Sequence, residues 1–441
     1  MIEKNLLQLI ERHTGSGHQL PPEVQTHARW LVMDTLGCAM AGARSPTVRA
    51  WLDGQGLCTH PFATSPLGHP VPSTGAAMAL TMAACWDEAC EGHARAHGRP
   101  GVAALGAIWP WIDRLNWAQL LRALVLGYEV GARMGALLRI APGMHVDANW
   151  PALGAAAAAA SAMGLDARQT LTAINTAACQ LPMSLYRPIQ TGDTARNTYL
   201  GHAAMLGQMA AQAAACGITA PDNAIEGFLQ VAYGKPVPTE WVRPDQFEIL
   251  TAYFKPHAAV RHVHYGAQAA LALRGQVDVN LIDGIELWVY EEATIYCGIR
   301  QAQTPLQAQF SLSFGLAAML RWGRLDPWIY REPQFQDPAL RALEAKVQVQ
   351  VDALWTQQGQ RGARLLIVCK DGSRHEHEVT AVPGDAQMPF TENALLDKFL
   401  GYCEGSMSSA ATQNWARQLL SASADAHPFP FWNAPQENTP C

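Results

Sequence analysis

Charge is scarce in this chain: Asp, Glu, Lys and Arg make up only 15% of it, against 49% hydrophobic residues. That balance excludes an extended solvated coil and calls for a large buried core. The 31 basic residues fall short of the 37 acidic ones, leaving a net charge of −6. Bulk attraction to nucleic acid is therefore not expected, and any anion site has to be local. None of the ten cysteines belongs to a CxxC pair. This argues against a zinc ribbon or a thioredoxin-type motif, and for buried free thiols in a reducing compartment. No run of about 18 apolar residues is present, so no membrane span is expected. The start, "MIEKNLLQLIERHTGSG", mixes charged and apolar residues at helical spacing and has no continuous apolar stretch of the signal-peptide kind. A cytoplasmic protein is the expectation. There is no GxxxxGK[ST] loop, no strand-linked GxGxxG and no GxSxG elbow, so nothing points to nucleotide binding or to a serine nucleophile.

What is present is helix, in quantity. At roughly 100–200 residues per domain, 441 residues predict two domains. Up to about residue 265, Ala, Leu and Met recur at 3.6-residue spacing, punctuated by Gly and Pro. The stretch "LGAAAAAASAMGLD" is so apolar and so rich in small side chains that it predicts a central helix flanked on every side. Near residue 280 the pattern changes. "IDGIELWVYEEA" and "KVQVQVD" alternate as strands, and "RLLIVCKDGSRHEHEVT" predicts a hairpin turning at Asp371-Gly372. After these, "TENALLDKFLGYC", opened by a Thr cap, and "SAATQNWARQLLSAS" are helical again. The prediction is a mainly α chain. A large all-helical domain takes residues 1–265 and 391–441, and a smaller α+β lid domain is inserted at 266–390. The Pro-rich end, "DAHPFPFWNAPQENTPC", is expected to be a loose tail.

The polar residues fall into four clusters. "WDEACEGHARAHGRPG" carries Asp87 and Glu91 four apart and His93 and His97 four apart. Should the preceding helix run on to Glu91, both carboxylates share a face. Residue types alone allow a metal site, acid/base chemistry or a solvated face, although the HxxxH lacks the Glu of HExxH and follows a helix-breaking Gly92. "GMHVDANWPALG" puts His145 just ahead of the alanine run. "TGDTARNTYLGHAA" puts Arg196 at a helix start, where a cation opposes the dipole and is either solvated or has an anion to meet. "YFKPHAAVRHVHYGAQAA" packs Lys255, His257, Arg261, His262 and His264 into ten positions, as an anion site or a basic helix end.

Together these clusters resemble the MmgE/PrpD superfamily, which includes 2-methylcitrate dehydratase, cis-aconitate decarboxylase and iminodisuccinate epimerase. The resemblance rests on "ARWLVMDTLGCAMAG", Asp87, "GYEVGARMG", "GMH", "YLGHAAMLGQMAA", "YFKPHAAVRHVHYGAQAA" and "QAQFSLSFGLAA", in family order over roughly residues 20–320. It implies a helical domain with an α+β lid, an active site between them and a homodimer. It also implies a small polycarboxylate substrate and no metal or other cofactor. Carried over by position, Asp87, His97, His145 and Lys255 look catalytic. Arg196, Arg261, His257, His264 and Glu91 look like substrate contacts. Three positions depart from the family pattern: Glu91 for a small hydroxyl residue, Arg196 for Lys and Phe314 for Tyr. Arg keeps the charge of Lys but not its readiness to give up a proton, and Phe lacks a hydroxyl.

The implied chemistry is removal of a proton beside a carboxylate. Lys255, Arg261 and Arg196 would stabilise the charge, while Asp87 and His145, helped by His97, would move protons. Loss of a β-hydroxyl would make the enzyme a hydro-lyase of the 2-methylcitrate dehydratase kind, which is the leading expectation. Reprotonation on the other face would make it an epimerase of an imino- or amino-dicarboxylate, whose nitrogen Glu91 would suit. A non-catalytic polycarboxylate-binding member is the third reading.

Overall fold

The computed structural model describes residues 2–14, 19–54, 62–64, 70–236 and 246–428. Most of the tail expected at the C-terminus (429–441) lies outside them. The structure is mainly α. Its helices begin where side chains can satisfy the orphan backbone amides: Asn116 with Gln119, and Asp166 with Gln169, each form a reciprocal capping box.

The alanine run forms the helix Pro151–Ala162, buried at every position from Pro151 to Ala160. Around it pack the helices Pro100–Ile108, Trp117–Leu137, Ala167–Ala178 and Tyr199–Ala215. Small residues set the spacing. A Cβ added to Gly154 would stand 2.5 Å from the carbonyl oxygen of Gly127, so the two helices touch backbone to backbone. Helices Glu392–Cys403 and Ser409–Ser421 return from the end of the chain to pack on Pro22–Gly42.

A four-stranded sheet runs in the order Val347–Val351, Ile282–Val289, Ala363–Cys369, Arg374–Val379. The first pair is parallel and the other two are antiparallel. The last pair is the hairpin, with Gly372 at φ +84° in its turn. Helix Arg261–Arg274 packs on this sheet and on Leu312–Trp322.

The helix before the first polar cluster does not reach Glu91. It ends at Cys85, and the chain turns at once: the Glu88 amide donates to the Cys85 carbonyl, and Glu88 sits at φ 54°. Left-handed backbone is costly for a residue with a side chain, and it removes the shared helical face expected for Asp87 and Glu91. No described helix is long and apolar enough to cross a membrane.

Candidate active site

A cavity of about 340 Å³ opens between the helical bundle and the residues around the sheet. That is the size of a small-ligand site. The 88–99 segment, the loop after helix Trp117–Leu137 and Arg196 line one side; residues 253–262, Glu292, Tyr296, Phe310 and Arg361 line the other. Of the residues predicted from sequence, His97, His145, Lys255, Arg196 and Arg261 are brought together here. Asp87, Glu91, His257 and His264 are not among the lining residues.

The carboxylate that meets the cations is Glu88. It accepts from Lys255 Nζ at 2.7 Å and Arg99 Nη1 at 2.9 Å, and it pairs with Arg196. Asp147 closes the network by pairing with Arg99 and lying 3.5 Å from Arg196. All five side chains are buried. Burial alone would push the Glu88 carboxyl up, but Arg196, Arg99 and Lys255 outweigh it and hold the group well below the usual carboxylate range. Arg196 therefore has its anion, which settles the choice the helix start left open.

Asp87, one residue earlier, points elsewhere. Both its oxygens are taken by Arg331, at 2.8 and 2.8 Å, in a fork-to-fork pair. Hydrogen bonds to charged groups contribute about 1.5–3 kcal/mol each, so freeing Asp87 to act as a base is costly. Burial raises its pKa above the ordinary Asp value in spite of Arg331.

Glu91 is a helix cap. Its Oε1 accepts from the amides of Gly101 and Val102, at 2.9 and 3.3 Å, in the first turn of Pro100–Ile108. Burial and the neighbouring Cys90 push its carboxyl well above the ordinary Glu value. Where a contact with a substrate nitrogen was expected, Glu91 meets these amides and does not line the cavity. His257 and His264 face each other at 5.1 Å behind Arg261, and His264 Nε2 pairs with the Ala259 carbonyl at 3.0 Å. Burial lowers both, His257 to about 4, so they are neutral, and neither lines the cavity. Phe314 is buried and stacks on Tyr330 at 5.9 Å, away from the cavity lining.

His145 is fixed in one tautomer. The Asp147 amide, which can only donate, gives its hydrogen to His145 Nδ1 at 3.1 Å, so in the neutral ring Nε2 carries the proton. Burial lowers its pKa to about 4, which keeps the ring neutral. Tyr186 stacks on it and Tyr199 meets it edge-on. His97 lies open at the cavity with φ 57° and no side-chain hydrogen bond to a described residue. Partial burial and Arg139 keep it below the ordinary His value. His262, also in the lining, is held at about 3 by burial and pairs with the Tyr290 hydroxyl. Arg261 spends its donors on the Val382 and Pro383 carbonyls and on Asp385, which ties the 382–385 loop to the site.

Sequence reasoning missed Glu88, Asp147, Arg99 and Arg361. Asp147 stands two residues from His145 and Arg99 two from His97, and that proximity was the available signal. Nothing local marked Glu88 over Asp87. Among the described residues no group of three or more His, Cys, Asp or Glu is placed to hold a metal ion.

These residues line one cavity of a mainly α fold. The chain belongs to the MmgE/PrpD family: the model of the MmgE/PrpD N-terminal domain matches residues 13–240, and that of the C-terminal domain matches residues 257–421. No curated protein matches the chain.

Proposed function

We propose that this protein removes the proton α to a carboxylate of a small di- or tricarboxylate and expels a β-hydroxyl, as a hydro-lyase of the 2-methylcitrate dehydratase kind. One observation carries the reading. Six cationic side chains, Arg99, Arg139, Arg196, Lys255, Arg261 and Arg361, line a cavity with only three acidic ones, Glu88, Asp147 and Glu292. The lining thus carries three more cations than acids, one of which, Arg261, pairs with Asp385 outside it, in a chain whose net charge is −6.

Substrate carboxylates pair with this excess. His97, neutral and open at the cavity, takes the α-proton as base. The charge left behind moves onto the adjacent carboxylate, where Lys255, Arg196 and the Nε2–H of neutral His145 stabilise it in a low-dielectric site. The His97 imidazolium then gives its proton to the departing hydroxyl. One proton and one hydroxide leave as water, a carbon–carbon double bond forms, and the histidine is restored. Glu88 and Asp147 keep the cations in place.

Proton NMR in heavy water against a panel of di- and tricarboxylates tests this. The expected result is α-proton exchange with olefin formation from a β-hydroxy acid. Olefin without dependence on His97, or neither exchange nor binding with any member, overturns it. Inversion at the α-carbon without olefin would identify the epimerase instead; that reading drew on Glu91, which now has a different role. Stabilisation by a polycarboxylate without exchange would identify a binding protein. The reading also includes a homodimer, which sedimentation of the intact chain checks.

A further inference from the structure

Two acidic neighbours, Asp87 and Glu88, are sent to opposite sides of one turn. Glu88 enters the cavity, while Asp87 goes to Arg331, which lines a separate groove with Arg44, Lys398 and Tyr402. The backbone between them is held from several directions. The Cys85 carbonyl accepts from Arg196 at 3.4 Å and the Trp86 carbonyl from Gln309 at 3.1 Å. The Glu88 carbonyl accepts from Lys255 at 3.0 Å and the Ala89 carbonyl from Lys398 at 2.7 Å. Four of the five carbonyls from Cys85 to Ala89 thus accept from side chains distant in sequence, and these ties hold a left-handed glutamate in place. Beside them the Asp87–Arg331 pair adds an ionic link in which two guanidinium nitrogens meet two carboxylate oxygens. It reaches from the residue after Pro327–Tyr330, in the separate groove, into the turn.

We propose that Asp87 is a positioning residue: paired with Arg331, it forms a strut that keeps the 85–89 turn strained and so holds Glu88 against Lys255, Arg99 and Arg196. The inference rests on the acid/base reading of the cavity. It assigns Asp87 no contact with substrate. With the strut cut, Glu88 relaxes toward right-handed backbone, its carboxylate withdraws, and Lys255 and Arg196 lose their common anchor. Misplacement by about 1 Å costs roughly 10²-fold in rate, and the loss falls on kcat more than on KM because the cavity's charge count is unchanged.

The experiment compares D87N, R331Q and the double variant with wild type. Each single variant is expected to lose roughly 10- to 100-fold in α-proton exchange, and the double variant no more than either, because both cut the same link. The limbs of the pH–rate profile should stay where they are. R331K, which keeps the charge but not the fork, should recover part of the rate. Loss of a limb in D87N while R331Q runs at the wild-type rate overturns the strut and makes Asp87 an acid or base. If D87N fails to fold, R331Q and R331K carry the comparison. A crystal structure of R331Q reads the turn directly. Glu88 off Lys255 supports the strut and an unchanged turn overturns it, whether or not the wild type turns over any polycarboxylate. Absence of exchange in the wild type counts against the proposed function alone.

Discussion

The alanine helix at the centre of the bundle and the 85–89 turn at the edge of the cavity are both buried, and in opposite ways. From Pro151 to Ala160 the helix buries only small apolar side chains, and its neighbours come close because Gly127 and Gly154 have no Cβ. The turn buries carboxylates, guanidinium groups and an ammonium, each tied to a named partner. Helix packing tolerates a change by moving apart slightly. A buried ionic network has no such latitude, because removing one member strands a charge in low dielectric. The first kind of burial builds a scaffold; the second stores a fixed electrostatic arrangement at the site.

Substitutions that strike one region and spare the other sharpen this contrast. The largest effect is expected for Glu88→Gln. It leaves Arg99, Arg196 and Lys255 without their shared carboxylate, so stability should fall by about 3–5 kcal/mol, read by chemical denaturation, and exchange of the substrate α-proton should fall by at least about 10²-fold. A variant as stable and as active as wild type would break the contrast. Next comes His145→Ala, which removes a single oriented Nε2–H donor. Exchange should drop by roughly 10²–10³-fold with the melting temperature little changed.

Gly154→Ala strikes the scaffold instead. The new methyl would meet the Gly127 carbonyl at 2.5 Å, costing about 1–3 kcal/mol while leaving the rate per folded molecule intact. A rate loss larger than the stability loss would mean that the helix spacing reaches the cavity.

The smallest effect is expected for Glu91→Gln, within about 1 kcal/mol, because the amide oxygen still caps the first turn of Pro100–Ile108. Its pH dependence has a definite sign. The folded carboxyl lies well above the ordinary Glu value, so its contribution is full below about pH 4.3 and is lost as pH rises through the folded pKa. Denaturation midpoints of wild type and Glu91→Gln should therefore be most favourable to wild type in acid and shift toward the variant at neutral pH. A shift in the other direction would mean that Glu91 works ionised.

Much of the bundle was legible in the sequence. The buried alanine helix, the three strand segments and the Asp371-Gly372 hairpin follow from local periodicity and turn chemistry, which act over a few residues. Of the candidate site residues, His97, His145, Lys255, Arg196 and Arg261 meet at one cavity. The misreadings share a cause. Extending the helix past Cys85 put Asp87 and Glu91 on one face, whereas the chain turns left-handed at Glu88. Of the side chains expected at substrate, Glu91 caps a helix end, and His257 and His264 lie in ring contact outside the cavity lining, His264 on the Ala259 carbonyl. Residue type announces that a group can bind or titrate; it does not say what the fold has already given it.

The sequence by itself determined a mainly helical chain, a small-residue core and a cluster of cations in an acidic protein, because hydrophobic period and composition are local quantities. Only the tertiary structure decided that Glu88 rather than Asp87 faces Lys255. That choice depends on one backbone angle, held by Arg196, Lys255, Gln309, Arg331 and Lys398, from 108 to 310 positions further along the chain, and no local pattern in "WDEACEG" encodes where those five side chains arrive.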